Sequence, residues 1–251
     1  MTSGLLAYFG HHKCATIWIS SIVSSVCKKI GLHFVEVHGP PLFNHNLKTF
    51  VEKEKIDFLS YTNANIKFVA RLDNFTGFHV IRDPRDMIVS AYFSHLHSHP
   101  TDIWPELIPH RQKLAKLSKE EGLFLEMEFS KNVMNHLYTW DYNRENVLEI
   151  KLEDLSVNPY EEFEKIFDFL NLLGESTVFK RKRKISVKKL HAIVYRNRFS
   201  AKAKGRKKGM EDAKHHYRKG VAGDWVNHFN KEHREYFEKE YGDLLIKLGY
   251  E

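Results

Sequence analysis

LLAYFGHHKCATIWIS, residues 5–20, is the stretch that decides the fold. It runs from five apolar residues through a glycine, two histidines and a lysine into a segment of helical periodicity. LLAYF (5–9) has the length and hydrophobicity of a buried strand, stopped by Gly10. Ile19, Ile22, Val23, Val26, Cys27 and Ile30 recur at helical spacing, which predicts a helix over 15–30 that Gly31 ends. Strand, short loop and helix, in that order, form a geometry that binds phosphate. The first N–H groups of the helix point outward, and the macrodipole adds positive potential there. Lys13 contributes a charge and Thr16 a hydroxyl. A Walker loop needs G-x-x-x-x-G-K-[ST], whereas here only two histidines separate Gly10 from Lys13, so the ATPase and kinase signature fails.

Outward from this stretch, strand and helix patterns alternate. LHFVEVHG (32–39), IDFLSYTN (56–63) and GFHVIRD (77–83) read as strands, and NVLEIKLEDL (146–155) contains a fifth. Pro84 opens a helix over 84–97, residues 101–145 are mainly helical, and Pro159 opens an amphipathic helix with Phe163, Ile166, Phe167 and Leu170 inward. The expectation is an α/β fold: a central parallel sheet of about five strands flanked by helices, nucleotide-binding and P-loop-like. One domain over 1–251 is expected, with a basic, mobile loop or lid at about 180–219.

Of the residues, 42% are hydrophobic, enough for a sizeable core and against disorder. No apolar run approaches the ~18 residues that cross a bilayer, and the first residues lack the basic and long apolar regions of a signal peptide. The expected location is the cytoplasm, without membrane association. Cys14 and Cys27 lack metal or redox spacing and read as reduced thiols on one helix. The net charge of +7 is local: residues 171–220 hold 17 Lys/Arg against 3 Asp/Glu, and the rest holds 22 against 29. An anionic partner for that segment follows.

Three further stretches carry polar chemistry. IRDPRDMIVSAYFSH (81–95) begins at a strand's C-terminal end, where open α/β sheets place ligands. Arg82 there can fork onto a phosphate and Ser90 add a hydroxyl, although salt bridging among Arg82, Asp83, Arg85 and Asp86 reads equally from the residues alone. YRKGVAGDWVNHF (217–229) joins Arg218, Lys219 and Gly220 in a flexible basic turn. HLHSH (95–99) suggests a metal, but residues i and i+2 of a helix diverge and no acidic residue is adjacent in sequence, so no metal is expected.

Taken together, GHHKCATIW, RDPRDMIVS and RKGVAGDW resemble the sulfotransferases that use 3′-phosphoadenosine 5′-phosphosulfate (PAPS). That family carries a Y-P-K-S-G-T-T-W loop, an R-x-P-x-D-x-x-V-S helix and a late R-K-G-x-x-G-D-W segment, in this order. IKLEDLSVNP is similar to its Y-E-D-L-x-x-N-P segment. The resemblance implies a PAPS-dependent sulfotransferase acting by in-line transfer to a hydroxyl or amine, with adenosine 3′,5′-bisphosphate as product and no metal. It further implies that His12, Lys13, Cys14, Ala15, Thr16 and Ile17 surround the 5′-phosphosulfate and that Trp18 stacks on adenine. Arg82 and Ser90 would hold the 3′-phosphate, Ser186 would complete the cofactor set, and Arg218, Lys219 and Gly220 would close over it.

The sequence departs from the family pattern at Ala15 (usually glycine), Ile17 (usually threonine) and Leu152 (usually tyrosine). The K-T-H histidine that serves as base in cytosolic relatives is absent from FLSYTNAN. Glu36 and His38, at the end of the second strand, are the candidate bases beside Lys13 as charge stabiliser. The family's late dimer signature is matched only at Glu235, which leaves the oligomeric state open. The expected acceptor is a small molecule or carbohydrate. Other readings are a cofactor-binding fold without turnover, a kinase-like phosphotransferase and a basic nucleic-acid-binding protein. Few aromatics interleave the lysines, so nucleic acid is the weaker partner.

Overall fold

β1 is Leu5–Phe9, and it sits in the middle of the sheet. The computed structural model describes residues 4–102, 104–174 and 183–251. After β1 come α1 (Thr16–Ile30), β2 (Phe34–Val37), α2 (Leu47–Glu54), β3 (Phe58–Tyr61), α3 (Ile66–Val69), β4 (Phe75–Ile81) and α4 (Pro84–Phe93). A π-helical turn, Ser94–Ser98, extends α4. Next are α5 (Leu107–Leu114), α6 (Lys119–Phe129), α7 (Lys131–Thr139), β5 (Val147–Lys151) and α8 (Leu152–Val157). α9 (Pro159–Phe169), α10 (Val187–Arg196), α11 (Phe199–Lys202) and α12 (Lys231–Leu248) complete the order. The described residues form two compact units. One comprises the residues up to Ile81 with Thr139–Arg198, the other Arg82–Tyr138 with Phe199–Glu251.

The first unit holds the whole sheet, five parallel strands in the order β2-β3-β1-β4-β5. The chain turns to one side after β1 and crosses to the other after β3, so the strand order reverses beside β1, where open α/β sheets bind ligands. Alternation along β1 sends Tyr8 to one face, with Ile22, Val26, Phe163 and Phe167, and Ala7 and Phe9 to the other, with Leu59, Val69 and Trp140. Both faces are covered, which is why the strands read as continuous apolar runs.

In the second unit, α6 packs against α4 and α12. Met87, Ile88, Ala91, Leu123, Met127, Phe237 and Leu245 are buried there.

The α/β expectation and the parallel sheet hold. Two local expectations are corrected. The helix expected over 84–97 is α-helical only to Phe93, because one extra residue enters the π turn. The basic segment expected as a loop or lid is partly regular. Val187–Arg196 is a helix because Leu190 and Val194 recur one turn apart and are buried, and it packs on α1 and α9. Lys180, Arg181 and Lys182 of that segment lie outside the described residues. Among the described residues no helix is long and apolar enough to cross a membrane.

Candidate active site

The loop after β1 places residues 10–15 at the C-terminal end of the central strand. Gly10 is required by contact: a Cβ there would lie 2.4 Å from the Tyr8 hydroxyl and 3.0 Å from Thr16 Cγ2. That hydroxyl is buried without a hydrogen-bond partner among the described residues, and burial holds it well above the usual tyrosine range. Lys13 and Ala15 adopt left-handed backbone, with φ of 68° and 55°. The α1 N-terminus has no side-chain cap and no acidic residue in its first turn. Its first N–H groups lack intrahelical acceptors, so they and the dipole give this end a positive potential. Lys13 and Thr16 flank this end, and Ile17 is 53% exposed on its first turn. The Cys14 side chain is buried, and its N–H donates to the His11 carbonyl at 3.0 Å. The Trp18 indole N–H donates to the Asn197 carbonyl at 2.9 Å, with its ring edge against Phe163. Ser186 is the N-cap residue of α10.

Ala15 keeps the conformation that glycine would adopt freely, at a steric cost of ~1–2 kcal/mol offset partly by alanine's smaller unfolded-state entropy. Ala15→Gly should therefore raise unfolding stability by about 0.5–1 kcal/mol, read by denaturant midpoints at unchanged slope. A loss of stability would show that the left-handed turn is not held in solution.

Under the loop lies a chain of hydrogen bonds between residues far apart in sequence. His11 Nε2 meets His79 Nε2 at 2.8 Å, and His79 Nδ1 meets Glu149 Oε2 at 2.6 Å. The Trp140 N–H donates to Glu149 Oε1 at 2.9 Å while its ring stacks on His79 at 4.1 Å. Burial pushes His79 down to about 3 and Glu149 up to about 8. Both shifts oppose the charged forms, so the 2.6 Å contact is a hydrogen bond between neutral groups rather than an ion pair.

Glu149 is raised from its ordinary 4.5, so its contribution is present below 4.5 and lost as pH rises towards 8. His79 is lowered from 6.5, so its contribution is present above 6.5 and lost as pH falls towards 3. Between 4.5 and 6.5 the two cancel. Above that plateau stability should fall by about 2 kcal/mol up to pH 8. Glu149→Gln should flatten this fall relative to wild type in thermal unfolding across that range. An identical fall in both proteins would remove Glu149 as its source.

Glu36 and His38 are exposed at the end of the edge strand β2. The Ser60 hydroxyl lies 3.5 Å from the Glu36 carboxylate and 2.9 Å from Ser20. The His38 carbonyl accepts from Asn63.

The second unit carries the other cations. Asp83 caps α4 through the Arg85 N–H and grips the Arg85 guanidinium at 2.9 Å. Arg85 also reaches Glu251 at 2.7 Å and lies over Trp225. Arg82 stands 3.9 Å from Asp86. Two carboxylates thus hold the Arg85 guanidinium. Ser90 lies two turns into α4. Asp86, 1% exposed, accepts the backbone N–H groups of Gly223 (2.7 Å) and Trp225 (2.9 Å), so α4 anchors the GDW turn directly. Arg218 and Lys219 contact Asp224 at 2.6 and 2.5 Å, and Arg218 also contacts Glu211. These cations hold the Asp224 carboxyl well below its ordinary value against the opposing effect of burial. Gly220 has φ +70°, and a Cβ there would strike the Phe199 ring at 2.5 Å. Arg206 donates to the carbonyls of Met210, Tyr217 and Arg218, fastening the lysine-rich stretch to the RKG turn.

Tyr8, His79, Glu149, Ser60, Arg206 and the anchoring by Asp86 are not apparent from local sequence. Only Asp86 had a signal, as the acidic position of R-x-P-x-D.

A family model for the sulfotransferase domain matches residues 9–249. Mouse sulfotransferase 2A6 is 25% identical over 183 residues, covering 67% of this chain and 55% of the relative. Rat sulfotransferase 2A1 is 28% identical over 174 residues, covering 66% and 55%. The chain thus spans 55% of the length of these two relatives. Among solved structures, mouse SULT7A1 complexed with PAP superposes with a TM-score of 0.64 at 17% identity, covering 98% of this chain and 84% of that one. Retinol dehydratase in complex with retinol and PAP gives 0.56 at 15% identity, covering 98% and 82%. These structural likenesses establish the fold.

Proposed function

Since the chain belongs to the sulfotransferase domain family, we propose that it transfers the sulfuryl group of PAPS to a hydroxyl or amine of a small-molecule acceptor. The observation that carries this reading is the uncapped α1 N-terminus with Lys13 beside it, at the C-terminal end of the central strand. PAPS supplies the sulfuryl group and carries phosphates at both ends, which accounts for two cation sets. Lys13, Thr16 and the first N–H groups of α1, with His12, Cys14, Ala15 and Ile17 around them, are assigned to the 5′-phosphosulfate. Trp18 and Ser186 are assigned to the nucleoside. Arg82, Ser90, Arg218, Lys219 and Gly220 are assigned to the 3′-phosphate.

In this mechanism the base, Glu36 or His38, takes the acceptor's proton as its oxygen or nitrogen attacks sulfur. Lys13 compensates the charge that develops on the phosphate oxygen as its bond to sulfur breaks. Positioning and electrostatics supply most of the acceleration, as in phosphoryl transfer, and the step calls for no metal. Retinol in the solved neighbour favours a small-molecule acceptor over a carbohydrate. Incubation with ³⁵S-labelled PAPS and a panel of phenols, alcohols and amines tests this. Labelled product that disappears in Lys13→Ala supports transfer. Nucleotide binding without labelled product for any acceptor would leave the second reading, a binding fold without turnover, which the missing strand histidine favours.

A further inference from the structure

We propose that the second unit carries a zinc-class divalent metal site built from His95, His110 and Glu126. The sequence reading found no acidic residue beside HLHSH, and the fold corrects this by bringing Glu126 from α6 against His95. His95 Nδ1 lies 3.0 Å from each Glu126 oxygen, and His110 Nε2, from α5, lies 2.9 Å from Oε2. One ligating atom from each residue falls within 4.8 Å of the others. The residues are 0%, 5% and 0% exposed in the order His95, His110, Glu126.

Two imidazoles and a carboxylate form a donor set suited to zinc or cobalt(II). Metal–ligand bonds of ~2.0–2.2 Å in tetrahedral geometry place ligand atoms roughly 3.3 Å apart. The two ring–carboxylate separations need to open by only a few tenths of an ångström, and the two ring nitrogens lie within 4.8 Å of each other. An ion would take the place of the N–H protons now shared between ring and carboxylate.

The surroundings have the form of a built site. His95 sits in the π turn, closed by the His99 N–H on the Ser94 carbonyl at 2.7 Å, and single π turns within helices concentrate at functional positions. The Ser130 hydroxyl donates to Glu126 Oε1 at 3.0 Å, orienting the carboxylate as an outer partner does. His110 stacks on Phe129 at 3.7 Å, and Trp104 closes over Phe129 and the edge of His95. The fourth position falls to water or to His99, whose ring centroid is 5.7 Å from that of His95. Such an ion would tie the π turn to α5 and α6. It takes no part in sulfuryl transfer, so this inference stands independently of that reading.

The test is cobalt(II) titration of chelator-treated, tag-free protein, followed by visible absorption. The expected result is one equivalent of cobalt with ligand-field bands of four-coordinate N/O ligation, displaced by zinc. Glu126→Gln and His110→Asn should abolish the bands, and Ser130→Ala should weaken binding by ~10–100-fold. His136→Asn should leave them unchanged. Should the ligand variants fail to fold, the wild type still decides, because zinc must raise its melting temperature relative to chelator. A wild type that takes up no cobalt and shows no zinc-dependent stabilisation overturns the proposal and leaves a hydrogen-bonded triad only. Bands that survive both ligand variants overturn it equally.

Discussion

Asp86→Ala should cost about 3–5 kcal/mol of unfolding stability, the largest single effect expected outside the apolar core. The carboxylate is 1% exposed and accepts two backbone N–H groups, at 2.7 and 2.9 Å. Alanine removes both charge-assisted bonds, each worth ~1.5–3 kcal/mol, and leaves two donors without acceptors where water has little access. It also removes the anion 3.9 Å from Arg82. The GDW turn holds Asp224, on which Arg218 and Lys219 converge, so the RKG cations should lose their fixed positions together. Chemical denaturation gives the stability loss. A change below ~1 kcal/mol would mean that the turn finds other acceptors.

Lys13→Ala should weaken binding of adenosine 3′,5′-bisphosphate by ~100-fold, and Arg82→Ala by a comparable factor. On the assignment proposed above, each deletes a charge-assisted contact to phosphate, worth roughly 1.5–3 kcal/mol and more where the helix N-terminus focuses the field. Lys13 acts as a point charge, so Lys13→Arg should recover only part of the affinity, whereas Arg82→Lys should lose its bidentate geometry. The Arg82 side chain is 13% exposed and faces the buried Asp86, so unfolding stability is measured beside affinity in each variant to separate the two effects. Unchanged affinity in Lys13→Ala would remove the loop after β1 from the binding site.

The sheet was legible because each strand is a short apolar run stopped by glycine, proline or a polar turn, as LLAYF is by Gly10. α4 was legible because Asp-Pro fixes a cap and a first helical residue. The loop after β1 could be placed because its neighbours in space are its neighbours in sequence. The hydrogen-bond chain beneath it could not, since His11 and His79 are 68 residues apart and Glu149 is 70 further on. No local period reports that His79 and Glu149 stand side by side on β4 and β5. The buried carboxylate of Glu126 was invisible for the same reason, 31 residues from His95. α10 was masked by composition, because its two buried side chains, Leu190 and Val194, sit among Lys188, Lys189 and Arg196. The RKG cations were legible as charges, while their pairing with Asp224 depends on a turn that Asp86, Arg206 and Gly220 hold in shape.

The most direct test of the nucleotide assignment is calorimetric titration of the wild-type chain with adenosine 3′,5′-bisphosphate in the absence of magnesium. The expected result is saturable micromolar binding at one site, lost in Lys13→Ala and Arg82→Ala. No heat of binding in the folded wild type would contradict it: Ala15 and Ile17 would then have closed the loop to phosphate, and the sulfotransferase likeness would extend to the fold alone.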